Sequence, residues 1–350
     1  MRKGDFKAYR VVLVAAILMA VFLIGCAQPT TQPTPTPVKT ETPTATPTTA
    51  PTETIKKLTI VSGSTGGSTY ASTAAIISAI GAGGVDIYII NQAGGGSAAN
   101  LPLLLQGKVD MAAGSDIDAR DLWKAGNHQL RAVFVSNIFP GQLVVRADSD
   151  IKSWSDVSGK PISIGSPKFV ANKMFRDIMG VLDVHPSKIV ELGHRDSMEQ
   201  LVTGAIDAYF FVGFPNPTVQ EFCIRYDLKL VPPSADEVKI IREKLPYSMY
   251  TVDASGEKIY KGVDVKYEGP AAYQIIWATQ DVPEETVYQM VKAYWENTKV
   301  AKRLYVQHKY FKPELIFKSA PVPLHAGVVK YYVEKGIQVP EELIPPEYKK

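Results

Sequence analysis

From residue 55 onward, short β-branched and apolar runs alternate with stretches whose apolar positions recur at helical spacing. Strands are predicted over 58–61, 85–90, 109–113 and 132–136, and in a second series over 143–146, 162–165, 188–192 and 208–212. Helices are predicted between them over 68–80, 98–106, 168–179 and 196–203. This alternation argues for βαβ units and mainly parallel sheets. The last third differs. "AAYQIIWAT" (271–279) reads as a strand, and Val287, Met290, Val291, Tyr294 and Trp295 then fall on one face of a helix opened by Asp281 and Pro283. That stripe is expected in the core. Two further helical segments, 301–319 and 324–335, are separated by "APVP".

The two series of elements resemble each other. "LLLQGKVDMAAGS" and "LVTGAIDAYFFVG" both end a helix at a glycine, Gly107 or Gly204, and open a buried strand just after an aspartate, Asp110 or Asp207. Each glycine suits the left-handed position after a helix. In each series an earlier strand ends in Gly-Ser, at Gly63-Ser64 and at Gly165-Ser166. Two lobes of similar architecture account for this, and so does the general habit of α/β chains of repeating helix, glycine, strand.

The N-terminal pattern is of another kind. Arg2, Lys3, Lys7 and Arg10 precede an uncharged apolar run, 11–25, too short for a comfortable membrane span and shaped like an export signal. It ends in "LIGC", similar to a lipobox, which makes Cys26 the expected lipidation site. A plain signal peptide or short anchor is the alternative. "AQPTTQPTPTPVKTETPTATPTTAPTET" follows, almost all Pro, Thr and Ala, and cannot bury enough apolar surface to offset its ordering entropy. It is expected to be a stalk holding the folded part off a surface.

Charge and cysteine content then narrow the classes. The chain carries 38 basic and 35 acidic side chains. Removing the segment before Cys26 takes away four basic residues and Asp5, so the remainder is neutral. It lacks the positive field that nucleic-acid binding needs. Of the 2 cysteines, lipidation of Cys26 leaves Cys223 without an intrachain partner, so no disulfide is expected. Stability must come from a large core, which 350 residues at 45% hydrophobic content can supply.

The stretch "IVSGSTGGSTY" (60–70) is a strand stopping in glycines before an alanine-rich helix. A nucleotide site fits poorly, because Gly63, Gly66 and Gly67 do not make G-x-G-x-x-G and the lysine of a phosphate-binding P-loop is missing. What remains is a turn that frees backbone NH groups at the positive end of a helix, with Ser68 or Thr69 as cap, facing a small anion. A purely structural turn is the alternative. Catalytic patterns are absent: His128, His185, His194, His308 and His325 are scattered without metal-ligand spacing, and no G-x-S-x-G occurs. No cofactor, metal or catalysis is expected.

Five fragments in order, "LTIVSGSTGGSTYASTAAIISAI", "GGGSAANLPLLLQGKVDMAAGS", "LVVRADSDIKSWSDVSGKPISIGSP", "YEGPAAYQIIWATQDVPEETVYQMVKAYWEN" and "PVPLHAGVVKYYVEKGI", resemble the TAXI subfamily of solute receptors. These receptors serve tripartite ATP-independent periplasmic (TRAP) transporters. The similarity spans 58–337. It implies an extracytoplasmic, two-lobed α/β protein of the type II periplasmic-binding kind, with a hinge and a central cleft that closes over a small organic anion, a dicarboxylate or acidic amino acid. The receptor would be a lipid-anchored monomer delivering its ligand to an ion-coupled permease in the membrane, with no nucleic acid as partner. The first lobe is expected over 55–142 and about 265–350, the second over about 143–264. The same fold could serve an ATP-driven importer or a sensor kinase, and an exported enzyme could use such a cleft for catalysis.

In such a receptor the ligand sits beyond the carboxyl ends of the strands, where loops of both lobes meet. The first lobe would offer Ser64, Thr65, Gly66, Gly67, Ser68, Thr69 and Tyr70, with Gly95, Gly96, Ser97 and Asn100. The second would offer Ser166, Lys168, Phe169 and Val170, with Phe214 in "GFPN" closing one side. Here the chain departs from the resemblance. Receptors of this kind commonly carry a Ser-Gly-Thr type turn at the second helix start, whereas this chain reads "GSPKFVAN". Lys168 either supplies a positive charge to the site or is solvated in the first turn. Arg146 either clasps a carboxylate or pairs with Asp148 or Asp150. His325 is expected to cap or pack.

Overall fold

A computed structural model describes residues 57–255 and 259–349. The export signal, Cys26 and the Pro/Thr-rich segment lie outside the described residues. The chain runs β1 (Lys57–Val61), α1 (Ser68–Ala82), β2 (Tyr88–Gln92), α2 (Ser97–Leu105), β3 (Met111–Ser115), α3 (Asp116–Lys124) and β4 (Leu130–Arg146). It continues β5 (Pro161–Ser163), α4 (Val170–Leu182), β6 (Lys188–Val190), α5 (His194–Thr203), β7 (Ala208–Val212), α6 (Pro217–Arg225), β8 (Leu228–Val231), α7 (Ala235–Lys244) and β9 (Ser248–Asp253). It closes with β10 (Lys266–Thr279), α8 (Glu284–Glu296), α9 (Thr298–Leu304), α10 (Leu315–Ser319) and α11 (Ala326–Glu334).

The strands follow the order β2-β1-β3-β10-β4-β7-β5-β6, with β8 on β4 and β9 on β10. The first series gives a parallel triple with β1 between β2 and β3, and the second a parallel triple with β5 between β6 and β7. The two halves therefore repeat one βαβαβ topology, with Gly107 (φ 66°) and Gly204 (φ 78°) left-handed at the ends of equivalent helices. The expectation of mainly parallel sheets needs correcting at the centre, where β10 and β4 run antiparallel to each other and to the strands beside them.

These two long strands connect the lobes. Where β4 runs, two strands were expected, 132–136 and 143–146, but the backbone passes straight through 137–142 as one strand. Pro140 lies opposite Ala271 on β10, and from Gly141 onward the partner is β7. Proline is tolerated where a strand changes partner, since no central ladder bond depends on its missing N–H. Two apolar cores sit on either side. One gathers Leu58, Ile76, Leu101, Trp277, Met290 and Tyr332, the other Trp154, Ile162, Phe175, Phe210, Phe211 and Tyr260. The stripe on α8 is buried as expected, with Val287, Met290 and Val291 at 0% exposure. The segment expected as one helix over 301–319 is instead α9, a short 3-10 turn at Val306–Lys309 and α10.

Candidate functional site

Between the two cores lies a cavity of about 50 Å³. Ser62, Gly63, Ser64, Gly67, Ser68 and Thr69 line it from the end of β1 and the start of α1, and Gly96 and Ser97 from the start of α2. The second lobe supplies Phe169, Val170 and Ala171 at the start of α4, His194 at the start of α5, and Val212. Phe139 on β4 and Gln274 on β10 complete it. An open groove of about 540 Å³ adjoins the cavity, shares Ser64 and His194 with it, and is also lined by Thr65, Gly66, Gly193 and Thr218.

The four helices that start here share a property. α1, α2, α4 and α5 begin after Gly67, Gly96, Phe169 and Gly193, and none has a side-chain cap. Of the helices that start elsewhere, α3, α6, α7 and α11 are capped by Ser115, Asn216, Ser234 and His325, while α8, α9 and α10 are not. An uncapped start leaves first-turn N–H groups for water or a ligand. Ser68 and Thr69 were expected to cap α1 and do not. No residue lining the 50 Å³ cavity is Asp, Glu, Lys or Arg, whereas Arg195, Asp196 and Glu221 line the adjoining groove.

The glycines let the lobes approach. A β-carbon on Gly96 (φ 106°) would lie 2.5 Å from the Lys168 carbonyl oxygen and 2.7 Å from the Phe169 ring. One on Gly66 would lie 2.5 Å from Thr218 Oγ1, which donates to the Gly66 carbonyl at 2.8 Å.

With Phe139, Val212 and Gln274, His194 is one of the lining residues the sequence reading missed. Its ring stacks on Phe169, centroids 5.3 Å apart, and its Nδ1 lies 2.6 Å from the Tyr209 hydroxyl and 3.5 Å from Asn216 Nδ2. The orientation of the Asn216 amide is fixed because its Oδ1 accepts from Val219 N at the start of α6. Its NH₂ therefore faces His194, Nδ1 is the acceptor, and the proton sits on Nε2. Burial lowers the imidazole pKa to about 4, so the ring is neutral at pH 7. A β-carbon on Gly67 would stand 3.4 Å from Nε2, which places that N–H beside the first glycine turn. A usable signal existed: in the repeated topology α5 is the counterpart of α2, so His194 occupies the place of Ser97. Gln274 had its own signal, an amide in the middle of the apolar run "AAYQIIWAT".

Other expected residues fall elsewhere. Arg146 is corrected from ligand contact to a pin within the second lobe. Its guanidinium donates to the carbonyls of Leu201 (2.8 Å) and Ile206 (2.9 Å) and pairs with Asp207 at 3.2 Å and Asp148 at 3.9 Å. Lys168 is exposed and not in the lining, which takes Phe169, Val170 and Ala171 from this helix start instead. Asn100 is fully buried and donates to the Ser62 (2.6 Å) and Ala113 (3.0 Å) carbonyls, holding β1 and β3 rather than a ligand. Phe214 packs on Tyr260, 5.9 Å between centroids, and borders a separate groove with Tyr250 and Tyr310. Tyr70, Gly95 and Ser166 also lie outside the lining. The Tyr70 carbonyl accepts from Asn91, Gly95 packs towards Ala99, and the Ser166 carbonyl closes a turn on Phe169 N. His325 caps α11 through Nδ1, 3.2 Å from Gly327 N, as expected.

The sequence from 60 to 336 matches the model of the NMT1-like family. The chain belongs to the NMT1-like family. Among solved structures, this NMT1-like chain is similar to MatC from Rhodopseudomonas palustris, a structure with bound malate, at 18% identity and a TM-score of 0.52. The match covers 80% of this chain and 96% of that one. A putative L-cystine ABC transporter structure from Listeria monocytogenes matches at 17% identity and a TM-score of 0.47, over 73% of this chain and 96% of that one. The fold is the α/β fold of periplasmic binding proteins of the type II kind.

Proposed function

We propose that this NMT1-like protein is an extracytoplasmic solute receptor that shuts its two lobes over a small organic anion of the dicarboxylate or acidic amino acid class. The observation that carries this reading is the convergence of four uncapped helix starts, two from each lobe, on a cavity with no acidic side chain. First-turn N–H groups and aligned helix dipoles stabilise a carboxylate without a counter-cation. The Nε2–H of His194 adds a neutral donor. Because the donors belong to different lobes, the anion holds the lobes together, and binding shifts the population towards the shut form. Catalysis is no part of the proposal, and the ligand leaves chemically unchanged.

The ordered fragments similar to TAXI receptors support delivery to a TRAP permease, and the lipobox-like "LIGC" supports an anchor on Cys26. The experiment is calorimetric titration of the full-length chain with malate, glutamate, glutarate, a neutral sugar and a divalent cation. Carboxylates are expected to bind and to be recovered intact. Heat from the sugar or the cation alone would overturn the ligand class. Cys26→Ser should move the protein from the membrane to the soluble extracytoplasmic fraction.

A further inference from the structure

We propose that Gln274 reads a hydrogen-bond-donating substituent, a hydroxyl or an amino group, beside the carboxylate of the bound solute; this rests on the anion-receptor reading above. Gln274 lies in the middle of β10, is 3% exposed and lines the cavity. Its Oε1 is buried without a hydrogen-bond partner. Directly opposite on β4 stands Asn137, whose Oδ1 is likewise buried and unpartnered while its Nδ2 donates to the Tyr305 hydroxyl at 3.1 Å. Buried acceptors are almost always satisfied, because one left unpaired carries the full cost of its desolvation. The cavity is thus divided by chemistry. Helix starts and His194 offer donors at one side, and the strand floor offers an acceptor at the other. A solute with a carboxylate alone satisfies the first side and leaves Gln274 orphaned. One with an adjacent O–H or N–H satisfies both.

A site built to hydrogen-bond one substituent rejects the analogue lacking it, because its own buried group is then left unpaired. The test is calorimetry on the full-length chain with three five-carbon dicarboxylates that differ only next to one carboxylate: glutarate, 2-hydroxyglutarate and glutamate. The wild-type chain is expected to bind the hydroxy acid, the amino acid or both at least about tenfold tighter than glutarate, and the arm that binds best names the substituent. In Gln274→Met, of similar volume, that ratio should fall to within about twofold. Equal wild-type affinities for all three, or a ratio that survives in Gln274→Met, would overturn the inference while leaving the anion receptor standing. No binding by any of the three while the sugar or cation binds would overturn the reading beneath it.

Discussion

Thr218 and Gly66 form a contact between lobes at the mouth of the cavity. The Thr218 hydroxyl donates 2.8 Å to the Gly66 carbonyl, and Gly66 itself leaves no room for a side chain there. Gly66 is not in the left-handed region, so Gly66→Ala adds a wedge without backbone strain. Only Thr218 Oγ1, at 2.5 Å, stands close to the new methyl; Thr218 Cβ is 3.9 Å away. Gly66→Ala alone is expected to weaken ligand binding about tenfold by holding the lobes apart, and Thr218→Ala alone about threefold through the lost hydrogen bond. The double variant should bind no worse than Thr218→Ala, since the clash has gone with the hydroxyl. Calorimetric dissociation constants decide this. Additive losses in the double variant would mean that the two residues do not meet when ligand is bound.

The helix starts lend themselves to a second experiment. Gly193 precedes α5 in extended conformation (φ −64°, ψ 167°), with nothing within 4 Å of a β-carbon placed on it. Asn or Asp there would cap the helix and lower the entropy of the unfolded chain, for a gain on the order of 1 kcal/mol in either case. Asp also sets a negative charge at a start that the proposal reserves for the ligand. Both variants should melt about 2 °C higher than wild type. Asp should weaken carboxylate binding about tenfold or more, and Asn by less than about threefold. Equal affinities for the two would remove α5 from the anion site. How far such elements were legible in sequence depended on local pattern. Strands such as 208–212 and the helix start at Ser68 stood out because apolar periodicity and glycine punctuation agree there. The Gly95 to Ser97 corner was expected from the resemblance together with the place of ligands in such folds, yet its counterpart at Gly193-His194 was not, because a lone histidine carries no local signal and its meaning comes from topology. Helix α3, "DIDARDLWK", was missed because it is mostly polar and held by the Ser115 cap. Arg146 and Asn100 were misjudged because residue type and strand end alone do not show that backbone carbonyls already occupy them.

At the scale of the whole molecule, buried titratable groups outside the cavity lining set a pH dependence of opposite signs. His308 bridges α1, β4's neighbourhood and α8, with Nε2 2.9 Å from Ser72 Oγ and Nδ1 2.8 Å from the Tyr294 hydroxyl, and His325 joins α11 to the Val282 carbonyl at 2.9 Å. Both are 1% exposed, and burial lowers both pKa values to about 4. Below the ordinary value of 6.5 the unfolded chain therefore takes up protons that the folded chain refuses, and stability falls as pH drops from 6.5 towards 4, by on the order of 3 kcal/mol for each histidine. Asp116 works the other way. Buried at the start of α3, where its Oδ1 accepts from Tyr273 N at 3.1 Å, it has its pKa raised to about 6 by desolvation. Between pH 4 and 6 the folded chain holds the proton more tightly, so this group loses stability as pH rises, also on the order of 3 kcal/mol. With His194 in the lining, lowered to about 4 in the same way, three histidines outweigh one aspartate, and the melting temperature is expected to fall from pH 7 to pH 4.5. Asp116→Asn keeps an acceptor for Tyr273 N and removes the buried charge. It should raise the melting temperature at pH 7 and make the acid-side fall steeper, because the opposing titration is gone. Calorimetric melts of both proteins at half-unit steps check the pair of signs. A wild-type chain more stable at pH 5 than at pH 7, or an Asp116→Asn chain less stable at pH 7, would show that the balance of buried charge is not the one described.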